Sequence, residues 1–137
     1  MLWISMMFYM SSQPAVESSE ASSKIVNIIS GRLELSEAKV ETLTIIVRKG
    51  AHFTEYLILS YLVIMTYGSF YNRKYNFSSI LLVCLVVAVS DEFFQGFIEG
   101  RSSEVKDVII DFSGSITCSI LYYCGIHINR YEKKVVK

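Results

Sequence analysis

Three long apolar runs constrain what this chain can fold into. They cover residues 53–71, 77–98 and 108–128, which are 19, 22 and 21 residues long. A helix needs about 20 mostly apolar residues to cross the hydrocarbon core of a bilayer. Aromatic residues such as Phe53 and Tyr71 stand at the ends of these runs, as is typical of the membrane–water interface. We therefore predict an all-α membrane protein with these three runs as transmembrane spans.

The composition agrees with this class. Hydrophobic residues make up 52% of the 137 residues, and the mean hydropathy is +0.40. Charged residues make up 19%, whereas soluble domains contain about 25%. The 13 basic and 13 acidic residues cancel, so the chain lacks the basic excess of a nucleic-acid-binding protein. We predict no nucleic-acid partner.

The first ten residues, MLWISMMFYM, form a shorter apolar segment. They are half the length of a span, and they lack the basic start and small-residue cleavage site of a signal peptide. We interpret residues 1–10 as part of a longer first span, with an interfacial or partial helix as the alternative. The prediction is therefore one domain, 1–137, containing a bundle of three to four transmembrane helices.

A polar segment, residues 11–49, separates the partial span from the first complete one. It opens with SSQPAVESSEASSK, and Val40, Leu43, Ile46 and Val47 then follow at helical spacing. This spacing predicts a short amphipathic helix on the membrane or against the bundle. An ordinary loop helix without a special role is the alternative.

The distribution of basic residues predicts the orientation. Arg73 and Lys74 lie in the short turn 72–76, and the tail 129–137 contains four more basic residues. Short loops rich in Lys and Arg face the cytoplasm. We therefore predict a cytoplasmic C-terminus, with residues 11–49 and the loop around Gly100 on the outer side.

The three cysteines do not indicate a cofactor site. Cys84, Cys118 and Cys124 all lie in apolar runs, and no CxxC pair or zinc-like spacing occurs. We predict that they are buried thiols. No metal ligand, cofactor or catalytic residue is assigned from these spacings.

Polar residues gather where the apolar runs begin or end on the predicted outer side. Charged groups inside a membrane normally face the bundle interior and find partners, so we predict that they meet in one pocket. Arg101 could reach a carboxylate from the turn above, and Gly114 would allow close helix approach. The predicted pocket residues are Lys49, His52, Glu55, Tyr56, Asp91, Glu92, Gln95, Arg101, Asp107 and Asp111.

Three interpretations of this pocket stay open. It could be a salt-bridge network that holds the helices together, or it could bind a polar or charged ligand such as a lipid-linked headgroup. It could also hold a divalent cation or perform acid–base chemistry through His52 and the carboxylates. No HExxH or GxSxG motif supports an enzyme. A separation beyond about 15 Å between the clusters would exclude one shared site.

Four short motifs occur in order along the chain and in register with the runs. They are Lys49/His52/Tyr56, Asp91/Glu92/Gln95, Gly100/Arg101 and Asp107/Asp111/Gly114. Together they resemble the VanZ-like family of small bacterial membrane proteins, over nearly the whole chain. Members of that family usually have a complete first span where this chain has ten residues. Glu99 also departs from the residues more usual at that turn.

The resemblance implies a role in the bacterial cell envelope, because the family is named after a protein that raises teicoplanin resistance. It implies no established biochemical activity. Our expectation is a protein of the bacterial cytoplasmic membrane whose outer pocket binds a polar or lipid-linked ligand. Expected partners are membrane lipid, a lipid-linked cell-wall precursor or another membrane protein. The alternatives are a membrane-embedded enzyme using His52 and a carboxylate, or an accessory subunit with a structural polar network.

Overall fold

Five helices and no strands make up the described part of the chain, as expected for an all-α protein. The computed structural model describes the backbone of residues 2–30, 36–70 and 76–135 and the side chains of 2–28, 36–68 and 76–125. The helices are α1 (Leu2–Ser11), α2 (Ala15–Ser30), α3 (Glu37–Phe70), α4 (Phe77–Gln95) and α5 (Val105–Val135). Arg73, Lys74 and the side chains of the basic tail, used above to predict orientation, lie outside the described residues.

Helix α3 differs from the prediction. We expected a short amphipathic helix followed by a separate span from residue 53, but residues 37–70 form one helix of 34 residues. Nothing in the sequence of α3 interrupts the backbone hydrogen bonds, because it contains no proline. At a rise of about 1.5 Å per residue, α3 is about 51 Å long. Most of the described residues in the predicted polar segment 11–49 therefore lie in α2 and the first part of α3.

The other helix boundaries have local causes. The backbone carbonyl of Asn76 accepts hydrogen bonds from the N–H groups of Ser79 and Ile80 at the start of α4. Helix α4 ends at Gln95, three residues before the end of the predicted run, and Gly96 caps it. Gly100 has a φ of +75°, which favours glycine because it lacks a Cβ atom.

The helices pack around α3. It lies along α5, while α2 packs on α3, α4 packs on α5, and α1 contacts both α3 and α4. One core cluster comprises Met7, Tyr56, Leu59, Cys84 and Ala88. A second contains Ile64, Ile80 and Cys118. Cys84 and Cys118 are buried as predicted, whereas Cys124 is exposed.

The interface between α3 and α5 is built from small residues. A Cβ atom added to Gly114 would overlap the backbone carbonyl of Phe53, so the two helices approach closely at this point. Ser60 Oγ donates a hydrogen bond to the carbonyl oxygen of Ser115 at 3.1 Å. Ser115 Oγ in turn donates to the carbonyl oxygen of Tyr56 at 3.3 Å. Small side chains and interhelical hydrogen bonds of this kind stabilise helix pairs in membranes.

Two helical segments, Phe77–Gln95 and Val105–Gly125, are long and apolar enough to cross a membrane. Only 28% of each segment is buried inside the protein, whereas the core helix of a soluble protein would be mostly buried. Leu82, Val86 and Phe93 leave 61%, 56% and 67% of their surface exposed on the outside of α4. This apolar outer surface suits contact with lipid. The spans expected at 53–71 and 1–10 stay predictions.

Candidate functional site

The polar segments predicted to form a pocket meet at one end of the bundle. His52 on α3, Asp91 on α4 and Asp111 on α5 each offer a ligand atom, and these atoms lie within 4.8 Å of one another. This is well inside the separation of about 15 Å beyond which the clusters could not share a site.

An ion pair joins α3 to α5 at the edge of this region. Lys49 Nζ contacts Asp107 Oδ1, and the two side chains are 33% and 31% exposed. The pair is therefore in partial contact with solvent, where its net contribution to stability is at most about 1 kcal/mol. Its main consequence for the site is that the charge of Lys49 is already neutralised.

A hydrogen-bonded chain of four side chains links α1, α4 and the turn after α4. Ser11 Oγ donates to Asp91 Oδ2 at 2.8 Å. Gln95 Nε2 donates to the same oxygen at 3.0 Å, and Arg101 Nη1 donates to Gln95 Oε1 at 3.0 Å. Arg101 thus contacts an amide, and it forms no ion pair with a carboxylate in the described part of the chain.

Glu92 has a different environment from Asp91. Its side chain is nearly buried, and Oε1 accepts a hydrogen bond from the backbone N–H of Glu104 at 2.6 Å. This N–H lies just before α5, where the helix leaves backbone N–H groups without internal partners. Glu92 therefore holds the start of α5 against the end of α4.

His52, Glu55, Tyr56 and Asp111 surround the deepest part of the site. His52 Nδ1 lies 3.7 Å from Asp111 Oδ1 and 4.0 Å from Glu55 Oε2, both beyond hydrogen-bond distance. Burial lowers the pKa of His52 below its ordinary value, and the positive charge of Arg101 lowers this pKa further. Both effects favour the uncharged form of the His52 imidazole.

Two clefts open above this region, with volumes of about 280 and 300 Å³. The smaller cleft lies between α3, the turn after α4 and the start of α5, and the larger one lies between α1, α2 and α3. Both clefts are lined by Arg48, His52 and Arg101.

Sequence reasoning missed two residues of this site. Ser11 is 1% exposed and donates a hydrogen bond to Asp91, yet the sequence placed it only in the polar segment 11–49. The available signal was its position directly after the apolar segment 1–10. Arg48 directly follows the predicted amphipathic stretch that ends at Val47, and its position gave no sign of a site. Only the tertiary structure places it beside both clefts.

Comparison with known proteins identifies the family of this chain. A model of the VanZ/LLP1 family matches residues 1–127 of the 137 residues. The chain belongs to the VanZ/LLP1 family. No curated protein and no solved structure matches it. Membership of VanZ/LLP1 and the two apolar helices together support a VanZ-like membrane protein.

Proposed function

We propose that this VanZ/LLP1 protein binds the phosphate-bearing headgroup of a membrane lipid or lipid-linked precursor in the clefts beside Arg48 and Arg101. One observation carries the proposal. Both arginines line both clefts, and neither forms an ion pair with a carboxylate of the described residues. Positive charge that the protein leaves unpaired in a cleft favours an anion.

The chemistry of arginine suits phosphate. Its planar guanidinium donates two parallel hydrogen bonds to phosphate oxygens. Burial and the positive charge of Arg48 lower the pKa of Arg101 from its ordinary value, although Asp91, Glu92 and Glu55 partly oppose this. An anion between the two arginines would offset that repulsion. Lys49 contributes less, because Asp107 already neutralises it.

The position of the clefts favours a lipid over a soluble anion. The turn that carries Arg101 follows directly after α4, one of the two helices able to cross a membrane. Phe97 in the same turn leaves 73% of its side chain exposed, and exposed aromatic residues are common at the level of lipid headgroups. A phosphate attached to a lipid would lie at this level.

The proposal also includes an orientation and a physiological setting. The basic turn and tail predict that the C-terminus is cytoplasmic, so the clefts would face outward from the bacterial cytoplasmic membrane. The lipid-linked ligand that we propose would reach the clefts from that side. A contribution to teicoplanin resistance is the corresponding expectation for cells.

Binding of a polyprenyl phosphate to the purified protein in phosphatidylcholine nanodiscs tests the proposal. We expect saturable binding that the uncharged polyprenol lacks. Arg48→Gln and Arg101→Gln should each weaken binding roughly 10- to 100-fold, because a hydrogen bond to a charged group contributes about 1.5–3 kcal/mol. Native mass spectrometry or a thermal-shift titration measures the change.

Lys106→Gln is the matched control, because Lys106 is exposed and lines neither cleft. Equal binding by all four proteins, or equal binding of the polyprenol, would overturn the proposal. Competition by inorganic phosphate alone would show that the lipid is not required. Release of phosphate from the probe would favour the enzyme alternative. An inert protein that crosslinks to another membrane protein would favour the accessory subunit.

A further inference from the structure

Three helices bring a set of metal-ligating groups together beneath the clefts. His52, Asp91 and Asp111 offer one nitrogen and two carboxylate oxygens within 4.8 Å of one another. Bonds from a tetrahedral zinc ion to such ligands are about 2.0–2.2 Å, so its ligand atoms lie about 3.3–3.6 Å apart. Side-chain movements of about 1 Å would bring all three atoms into contact with a single ion.

A second, independent observation is that polar atoms at this place have no partners. Asp91 and Asp111 are 2% and 1% exposed. Asp91 Oδ1, Asp111 Oδ1 and His52 Nδ1 are buried without a hydrogen bond from any described residue, and so is the hydroxyl of Tyr56. Buried polar groups in proteins are nearly always hydrogen-bonded, and each exception needs an explanation. Four such atoms in one place point to a binding site for a polar or charged ligand.

The basic side chains around the site do not neutralise the carboxylates of Asp91 and Asp111. Lys49 pairs with Asp107, and Arg101 donates its hydrogen bond to Gln95. A protonated Asp111 could donate towards His52 Nδ1, which lies 3.7 Å from its Oδ1 atom, but Asp91 Oδ1 and the hydroxyl of Tyr56 would still have no partner among the described residues. A cation between the carboxylates satisfies both oxygens at once.

Asp91 is also held in the orientation that a metal ligand needs. Its Oδ2 atom accepts hydrogen bonds from Ser11 and Gln95 at 2.8 and 3.0 Å, which leaves Oδ1 directed elsewhere. Carboxylates that bind metals are commonly fixed by hydrogen bonds of this kind. The hydrogen bond from Arg101 to Gln95 extends the support to the turn.

We propose that His52, Asp91 and Asp111 bind one divalent transition-metal cation. One imidazole nitrogen with two carboxylates suits Zn²⁺ or Mn²⁺ better than Mg²⁺ or Ca²⁺, which prefer oxygen ligands alone. Tyr56 borders the site as a further oxygen group. The three ligands come from three helices, which explains why no spacing in the sequence predicted the site. The site requires no bound headgroup and goes beyond the proposed function.

Calorimetric titration of the chelator-treated protein with ZnCl₂ and with MnCl₂ tests this site. The protein is kept in a phosphate-free detergent, so that headgroup binding cannot contribute. We expect one ion per chain and a rise in thermal stability on binding. Asp91→Asn and Asp111→Asn should each weaken binding at least about tenfold, since loss of groups that only support a ligand already weakens binding by about 10- to 100-fold.

Glu99→Gln is the control, because it removes an exposed carboxylate that lines neither cleft. It should bind the ion as the unaltered protein does. X-ray absorption of the zinc-loaded, unaltered protein should show one imidazole ligand, and this measurement does not depend on the variants folding. Absence of saturable binding, absence of an imidazole ligand, or equal binding by both Asn variants and the control would overturn the proposal.

Discussion

At the scale of single residues, Gly114 determines how closely α3 and α5 approach. Phe53 contributes the carbonyl that a Cβ atom at this position would meet. The backbone carbonyl cannot move aside as a flexible side chain could, so any larger residue must push the helices apart. The consequence reaches the site, because Asp111 lies one turn before Gly114 on α5 and His52 lies next to Phe53 on α3.

Gly114→Ala should therefore destabilise the protein by about 1–3 kcal/mol, the usual effect of overpacking a core. Thermal unfolding in detergent measures it. Gly125→Ala is the control, since an added Cβ atom there meets nothing within 4 Å and alanine has a helix propensity about 1 kcal/mol better than glycine. Unchanged unfolding temperature in Gly114→Ala would contradict the close helix approach.

At the scale of elements, the continuity of α3 is what brings the site together. The first part of α3 carries Arg48, which lines a cleft together with residues of α2. The later part carries Tyr56 and Ser60, which form hydrogen bonds with Ser115 on α5. A single rigid helix transmits the position of one half to the other. A break between the halves would leave Arg48 free to move relative to His52.

Ala51→Pro tests this continuity. A proline inside a helix removes one hydrogen bond and clashes with the preceding turn, which costs about 3 kcal/mol. We expect a marked fall in unfolding temperature and weaker binding of the phosphate probe. Ala38→Pro changes the same residue type in the first turn of α3, where proline is tolerated. Equal behaviour of the two variants would indicate that the stretch containing Val40–Val47 forms a short helix separate from the span, as the sequence predicted.

At the scale of the whole molecule, the described structure has an apolar outside and a polar end. The segments Phe77–Gln95 and Val105–Gly125 expose apolar side chains along most of their length. At about 1.5 Å per residue, the 19 residues of α4 extend about 28 Å, which matches the hydrocarbon thickness of about 30 Å. Asn76 and the turn after α4 would then lie on opposite faces of the membrane.

Cysteine labelling in intact cells tests this arrangement, starting from a Cys124→Ser protein in which only buried thiols remain among the native cysteines. A membrane-impermeant maleimide should label Ser103→Cys from outside, and it should label Asn76→Cys only after permeabilisation. Both positions are exposed. The reverse pattern would invert the predicted orientation, and labelling of both from outside would exclude a span between them.

Much of the fold was predictable from the sequence because helix type and apolar length are local properties. The runs at 77–98 and 108–128 indicated α4 and the first part of α5, and the structure shifts their ends by only a few residues. The continuity of α3 was not predictable. Its polar and apolar halves have different surroundings, and nothing local distinguishes one long helix from two short ones.

The candidate site was likewise only partly predictable from the sequence. The sequence by itself determined which polar side chains stand at the ends of apolar runs. Polar residues beside an apolar run can be read directly from the order of residues, and charge near a membrane span is costly enough to indicate a role. Only the tertiary structure decided which of them meet. Ser11, His52, Asp91 and Asp111 come from four different helices, and their contacts depend on how those helices cross, which no spacing along the chain records.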